Sequence, residues 1–134
     1  MSSTVTSFIA DDSAPMLARL AVSAFLGDAV SRQFTDAAEL LTTELVTNSI
    51  THAGLADEDL IGLDLDLSAV RLRVEVSDAG PGFEAPPRTA TDGGGWGLVI
   101  TGSSGWGLVL VDQVADRWGI ISNRPSVVWF ELDR

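Results

Sequence analysis

Residues 63–76 read LDLDLSAVRLRVEV, in which apolar residues alternate with aspartate, arginine and glutamate on both sides of a short Ser68-Ala69 connection. Successive side chains of a β-strand point to opposite faces, so the alternation predicts two strands, each with one buried and one solvated face. The short connection predicts an antiparallel hairpin that buries the residues Leu63, Leu65, Leu67, Val70, Leu72, Val74 and Val76. Aspartates and arginines can pair across its solvated face, so these charges need no functional explanation.

Two elements are predicted at the start of the chain. Residues 4–10 are rich in β-prone side chains and predict an edge strand. Pro15 follows Asp12 and Ser13, and this order predicts a helix that is capped by Ser13 or Asp12 and ends near Leu26.

A second helix is predicted before the hairpin. It should begin near Thr35-Asp36, with Phe34 packed against its first turns, and end at Gly54. After the hairpin, residues 77–107 are mostly Gly, Pro, Ala, Thr and Asp without periodicity, which is typical of a lid or binding loop. A third helix is predicted over residues 108–116, and two strands over 118–122 and 127–132 around a turn at 123–125.

Composition limits the class of protein. The 134 residues, 46% of them hydrophobic, are enough for one core, and no domain boundary is visible, so we expect a single domain over residues 1–134. The net charge of −11 disfavours direct binding to nucleic acid. The absence of cysteine, of a long apolar stretch and of a secretory signal predicts a cytoplasmic protein that does not enter a membrane.

All eight basic residues are arginine. Without lysine, neither a P-loop of the form GxxxxGK[ST] nor Schiff-base chemistry is possible. If the protein binds a nucleotide, Mg²⁺, backbone amides and arginine must therefore neutralise the phosphates.

The second predicted helix carries an unusual polar stripe. At about 100° per residue, Glu44, Asn48 and His52 fall in the same sector as the apolar residues Ala37, Ala38, Leu40, Leu41 and Leu45. A carboxylate buried there needs compensation by a cation, by water or by a pocket. A purely structural network, in which Glu44 bonds Asn48 and a backbone group, is an equally open interpretation.

Two glycine-containing motifs follow. The sequence DAGPG at 78–82 places Asp78 at a strand end, where Gly80 and Gly82 allow close approach to a ligand and the carboxylate can accept from an exocyclic amine. A plain turn would have the same composition. The sequence GWGL at 105–108, which also occurs at 95–98, precedes a predicted helix whose amides would favour an anion, although an ordinary loop is the alternative.

These motifs together resemble a known family. The sequence ELVTNSITHA at 44–53 resembles the N box of the GHKL ATPase superfamily, DAGPG its G1 box and GWGL at 105–108 its G2 box. Their order and the sequence ADRWG at 115–119 are most similar to bacterial anti-sigma-factor serine kinases. The resemblance covers nearly the whole chain and implies an α/β (α+β) Bergerat-type fold, a two-layer sandwich of a mixed, mainly antiparallel sheet with helices on one face.

The resemblance also implies roles for individual residues. Asn48 would coordinate Mg²⁺, and Glu44 would be the general base of phosphoryl transfer. Asp78 would accept a hydrogen bond from the adenine amino group of ATP, with Gly80 and Gly82 close to the base. His52 would be structural. The phosphate lid would contain the residues Gly105, Trp106, Gly107 and Leu108.

The implied function is transfer of the ATP γ-phosphate to a serine of an anti-sigma-factor antagonist. A sigma factor is a further partner in this branch, and homodimers are usual. Trp106 stands where arginine is frequent, Val127 stands where threonine beside the adenine is frequent, and the second GWGL copy lengthens the lid. These departures motivate an alternative function, a nucleotide-gated protein-binding module with little catalysis. A detached histidine-kinase catalytic domain is a third interpretation.

Overall fold

The computed structural model describes residues 2–52, 59–78, 105–121 and 126–134; at 51–52, 105–108 and 126 it describes the backbone alone. The elements in chain order are β1 (Ser2–Ile9), α1 (Ala14–Leu26), α2 (Arg32–His52), β2 (Leu60–Leu67), β3 (Arg71–Asp78), α3 (Gly105–Val114), β4 (Arg117–Ile121) and β5 (Ser126–Asp133). No helix in these ranges is long and apolar enough to cross a bilayer.

The five strands form one sheet in the order β1-β2-β3-β5-β4, and each of its four described pairings is antiparallel. The predicted hairpin is therefore confirmed as β2 and β3, and the predicted edge strand as β1. The helices pack on the face formed by the alternate buried residues of the strands, which gives the two layers that the fold class requires. The fold-class prediction is confirmed.

The hairpin prediction fails at one residue. Val70 was expected on the buried face, but it precedes β3 and its side chain is 60% exposed. The Ser68 hydroxyl oxygen accepts hydrogen bonds from the backbone N–H groups of Val70 and Arg71, at 3.3 and 3.2 Å. This local turn removes Val70 from the strand alternation.

The helix starts also differ from the prediction. Ser13 occupies the N-cap position of α1 as expected, but its side chain makes no cap hydrogen bond. Instead, Asp11 Oδ1 accepts from the Ser13 backbone N–H at 2.9 Å. The second helix begins at Arg32 rather than near Thr35, because Ser31 Oγ accepts from the Phe34 N–H at 3.2 Å and so caps an earlier turn. The predicted end at Gly54 lies outside the described residues.

The third helix lies earlier in the chain than predicted, at Gly105–Val114 instead of 108–116. It ends early because Asp116 is held by β5: its N–H donates to the Glu131 carbonyl at 2.9 Å, and its Oδ2 accepts from the Asp133 N–H at 2.7 Å. The two final strands agree with the prediction within a residue or so at each end. The predicted turn at 123–125 lies outside the described residues.

The hydrogen bonds of Arg134 show which loops lie together at one edge of the sheet, and so indicate the direction of the helices. The Arg134 guanidinium donates to the Ser68 carbonyl in the β2–β3 turn and to the Ala29 carbonyl in the α1–α2 loop, both at 2.8 Å. We call this edge of the sandwich, at residues 68–70, the turn end, and the opposite edge the Asp78 end. Helix α2 begins beside the turn end and runs toward the Asp78 end.

Candidate functional site

Asn48 is the most informative residue of α2. Its side chain is only 2% exposed, and no described residue accepts a hydrogen bond from its Nδ2. Glu44, one turn earlier, is partly buried. The fully buried side of α2 contains Leu41 and Leu45, whereas Leu40 is 43% exposed, contrary to the sector drawn from the sequence. Glu44 and Asn48 therefore lie where the buried face of α2 meets its partly exposed side, and a ligand could reach them there.

Asn48 and Asp78 lie at the same end of the molecule. A rise of 1.5 Å per residue carries α2 about 24 Å from Arg32 at the turn end to Asn48. A rise of 3.3 Å per residue carries β3 about 23 Å from Arg71 to Asp78. Since α2 packs against β3, the two polar side chains lie at nearly the same height. Asp78 is 3% exposed and pairs with Ile61 and Ser126 in the sheet.

The N-terminus of α3 points toward the same end. Helix α3 ends at Val114, and Asp116, two residues later, is bonded to Glu131, which pairs with Arg73 about 7 Å from the turn end of β3. From Val114 back to Gly105 the helix rises about 14 Å, so Gly105 is about 21 Å from that end. Helix α3 packs against α2. The starts of all three sequence motifs are thus at one edge of the sandwich.

The first turn of α3 is suited to an anion. Residues 105–108 are not a loop before the helix, as predicted, but its first four residues. Their N–H groups have no intrahelical acceptor, and the helix dipole adds positive potential there. No acidic residue lies in this turn. Farther along, Trp118 Nε1 donates to Asp112 Oδ1 at 2.9 Å, which attaches the helix to β4.

Two arginines on the sheet, Arg73 and Arg117, are engaged near the turn end and not at this edge. Arg73 and Arg117 donate to the Glu131 carboxylate near the turn end, at 3.1 and 2.7 Å, and Arg117 also pairs with Asp133. Burial alone would raise the pKa of Glu131, but the hydrogen bonds from Arg117 and Arg73 outweigh it and hold the pKa below its usual value. These two arginines are therefore not available to a triphosphate beside Glu44 and Asp78.

A polar cleft between the end of α1 and the start of α2 is a poor site for a nucleotide. Its volume is about 280 Å³, and the acidic side chains of Asp28, Asp36 and Glu39 line it. Arg32, the cation at this cleft, is already paired with Asp36 at 3.5 Å. The excess of negative charge would repel phosphate groups.

Several predicted site residues are not tested by the structure. Gly80 and Gly82 lie outside the described residues, and Trp106, Gly107, Leu108 and His52 are described by their backbone alone. Val127 is different. It alternates with the buried Val128 and pairs with Ser77 and Ile121, so it lies on the sheet face away from the helices. Its expected place beside an adenine was wrong, and Ser126 is the residue that pairs with Asp78.

Sequence reasoning missed two buried hydroxyl groups on α2. Thr42 and Ser49 are 0% and 1% exposed, and neither hydroxyl has a hydrogen-bond partner in the described part of the chain. Both lie on the same side of the helix as Leu45 and Val46, two turns apart. This spacing is visible in the sequence and could have identified them.

Comparisons with known proteins agree with this architecture. The model of the histidine kinase-like ATPase domain matches residues 10–131. The crystal structure of the RsbU and RsbW domains of Rv1364c from Mycobacterium tuberculosis superposes with a TM-score of 0.68 and 14% sequence identity. The alignment covers 100% of this chain and 32% of that one, so the chain spans about a third of its length. At this identity the likeness shows the fold alone, and no curated protein sequence matches significantly. The family match, over nearly the whole chain, shows that the protein belongs to the histidine kinase-like ATPase family.

Proposed function

We propose that the protein binds Mg·ATP at the Asp78 end and transfers its γ-phosphate to a serine of a partner protein. The observation that carries the proposal is the buried Asn48 amide, which has no described hydrogen-bond partner for its Nδ2 and lies level with Asp78 and the start of α3. An unpaired buried amide costs about 1–3 kcal/mol, so a ligand that completes its bonding is the simplest reason for its presence.

The described residues fit a nucleotide-borne Mg²⁺ ion. Among them, no three His, Cys, Asp or Glu side chains are grouped to hold a metal by themselves. Mg²⁺ that enters with phosphates needs only one or two protein oxygens, because phosphate and water supply the others. The Asn48 amide oxygen would hold the ion, which would neutralise phosphate charge, and its N–H₂ group would donate to a phosphate oxygen.

Glu44 is the general base in this proposal. It lies one turn from Asn48 on α2 and is partly buried, so it can face both the γ-phosphate and a docked partner. Its carboxylate would take the proton from the serine hydroxyl as the serine Oγ–P bond forms. The bond from the γ-phosphorus to the bridging oxygen then breaks, and ADP leaves. Asp78 would hold the adenine, and the first turn of α3 the phosphates.

The proposed substrate is an anti-sigma-factor antagonist. The sequence resemblance to anti-sigma-factor serine kinases supports this choice, and the fold likeness to a chain that includes an RsbW domain agrees with it. The same resemblance suggests a sigma factor as a second partner, a homodimer as the assembly and the cytoplasm as the location.

Calorimetric titration with Mg·ATP, ADP and GTP tests the binding part of the proposal. We expect adenine-selective binding that weakens when Mg²⁺ is chelated. GTP binding equal to ATP, or no binding of either, would contradict the site.

Phosphorylation of candidate antagonists with labelled ATP tests the transfer part. Glu44→Ala should abolish transfer and retain ATP binding, because the carboxylate acts on the serine proton. Glu39→Ala is the matched control, since Glu39 is a partly buried carboxylate on a different side of α2. Transfer by Glu44→Ala at the control's rate would remove Glu44 from the mechanism.

A nucleotide-gated binding module is the second candidate function. In its favour, the described contacts of the arginines at residues 71, 73, 117 and 134 are toward the turn end, so these four side chains are not engaged at the Asp78 end. Incubation with ATP and an antagonist separates the two functions. A stable stoichiometric complex without phosphoprotein would favour the module.

A further inference from the structure

The two buried hydroxyls on α2 lie at different distances from the proposed site. Thr42 Oγ1 and Ser49 Oγ are both enclosed, and neither has a hydrogen-bond partner among the described residues. A buried hydroxyl left unpaired costs about 1–3 kcal/mol. Thr42 lies about 10 Å nearer the turn end than Ser49, in the middle of the helix.

Ser49 lies between the two ends of the proposed nucleotide site. It follows Asn48 directly and is turned about 100° from it around the helix, on the side of the fully buried Leu45 and Val46. Helix α2 packs against β3, the strand that ends at Asp78, and also against α1 and α3. Asn48 lies on the part of the buried face nearer to Glu44. The Ser49 hydroxyl is therefore on the core side of the Asn48 amide.

We propose that Ser49 is a base-binding residue: its buried hydroxyl hydrogen-bonds the base end of the nucleotide, beside Asp78. The inference rests on the proposed function, because it needs a nucleotide at this edge. The phosphates belong to the amide of Asn48 and the first turn of α3, whereas Ser49 and Asp78 are both buried on elements that pack against each other. A hydroxyl both donates and accepts, so it can serve a purine edge that offers both kinds of group.

The alternative is that Ser49 is a tolerated core hydroxyl, as Thr42 is. Replacement of an unpaired buried hydroxyl by an apolar group is neutral or stabilising in the free protein. Ser49→Ala and Thr42→Val should thus behave alike without ligand, and only the binding residue should show a penalty when a nucleotide is added.

The experiment compares wild type, Ser49→Ala and Thr42→Val by thermal unfolding without ligand and by calorimetric titration with ATP and ADP, each with and without Mg²⁺. We expect both variants to melt at or above the wild-type temperature. We expect Thr42→Val to bind like wild type and Ser49→Ala to bind about fivefold more weakly, the effect of one neutral hydrogen bond. The loss should be equal for ATP and ADP and independent of Mg²⁺, because the contact is to the base.

Three results would overturn the inference. Unchanged affinity in Ser49→Ala would make Ser49 a core hydroxyl, while wild-type binding would leave the proposed function intact. A loss confined to ATP or to Mg²⁺ would place Ser49 at the phosphates. A lowered melting temperature with equal loss in both variants would show a structural effect. Failure of wild type to bind either nucleotide would instead remove the proposed function, and the inference with it.

Discussion

The two ends of the sandwich differ in whether their buried polar groups have hydrogen-bond partners within the described chain. Toward the turn end, the Glu131 side chain is 12% exposed, yet it accepts hydrogen bonds from Arg73 and Arg117, and the Arg73 guanidinium stacks on the Trp129 ring at 4.2 Å. At the Asp78 end, Asn48 and Ser49 are more deeply buried, and each leaves a polar atom without a described partner.

Under the proposed function, this difference separates groups that serve the fold from groups that would serve a ligand. A polar network that stabilises the folded chain must be complete within the chain, because an unpaired buried group costs free energy. An incomplete set is tolerated where a bound molecule completes it. The turn end should therefore respond to mutation in stability and the Asp78 end in binding.

The largest expected effect is on binding, in Asn48→Ala. Affinity for Mg·ATP should fall on the order of 100-fold, because the metal ligand and the phosphate donor are both lost and bonds to charged groups are each worth about 1.5–3 kcal/mol. Thermal stability should change little. Titration calorimetry measures the loss, with Thr47→Ala at the neighbouring exposed position as control. Equal affinities in the two variants would place the nucleotide elsewhere.

Glu131→Gln should show the reverse pattern. The neutral glutamine removes the negative charge that pairs with Arg73 and Arg117 in this partly buried network. The free energy of unfolding should therefore fall by about 2 kcal/mol. ATP affinity should not change. Urea unfolding provides the measurement, and Asp66→Asn is the control, because Asp66 is exposed and lies opposite Arg73 in the strand register of the hairpin. Weakened ATP binding in Glu131→Gln would contradict the assignment of stability to the turn end and of binding to the Asp78 end.

Low pH should lower the free energy of unfolding by protonating the same carboxylate, Glu131. The pKa of Glu131 in the folded protein is below its ordinary value of 4.5, so its stabilising effect is full above that pH. The effect is lost progressively as pH falls from about 4.5 through the lower folded-state pKa. Unfolding free energies of wild type and Glu131→Gln should therefore converge as the pH is lowered through this window. Parallel curves would show that Glu131 is not the linked group.

The smallest expected effect belongs to an exposed pair, Arg32 with Asp36. Their side chains are 90% and 59% exposed at a separation of 3.5 Å. Arg32→Ala should lower the free energy of unfolding by less than about 0.5 kcal/mol, and added salt should erase the difference, because solvent screens such pairs. Denaturant unfolding at two salt concentrations checks this. A loss comparable to that of Glu131→Gln would mean that ion pairing alone, without burial, governs stability here.

The hairpin, the edge strand and the three helices could be predicted because each has a strong local pattern. The starts of α2 and α3 could not, because Ser31 and Thr35 are both plausible caps in sequence, and glycine at 105 and 107 does not itself indicate a helix. Val127 shows a different limit. A family pattern suggested a place beside the site, but the face of β5 on which Val127 lies is fixed by pairing with Ser77, a contact between distant residues.

The candidate site could be proposed in part from the sequence, and its roles stay predictions. Glu44, Asn48 and Asp78 could be singled out because carboxylates and an amide interrupt otherwise apolar patterns. Ser49 was missed because serine is common on helices, and its significance depends on complete burial without a described partner. Burial of one side chain is a property of the packed layers, and the sequence of α2 alone does not determine it.

The position of β5 has a consequence for synthesis of the chain. Strand β5 is the last along the described sequence but lies between β3 and β4, and the register joins Arg71 to Asp133. The segment β1–β3 can assemble with α1 and α2 while the ribosome is still translating, but β4 has no described neighbour in the sheet until β5 emerges. At an elongation rate of about 5–20 residues per second, β4 and α3 are therefore synthesised before the strand that joins β4 to the sheet. Nascent chains halted before β5 should expose this unfinished sheet edge to chaperones.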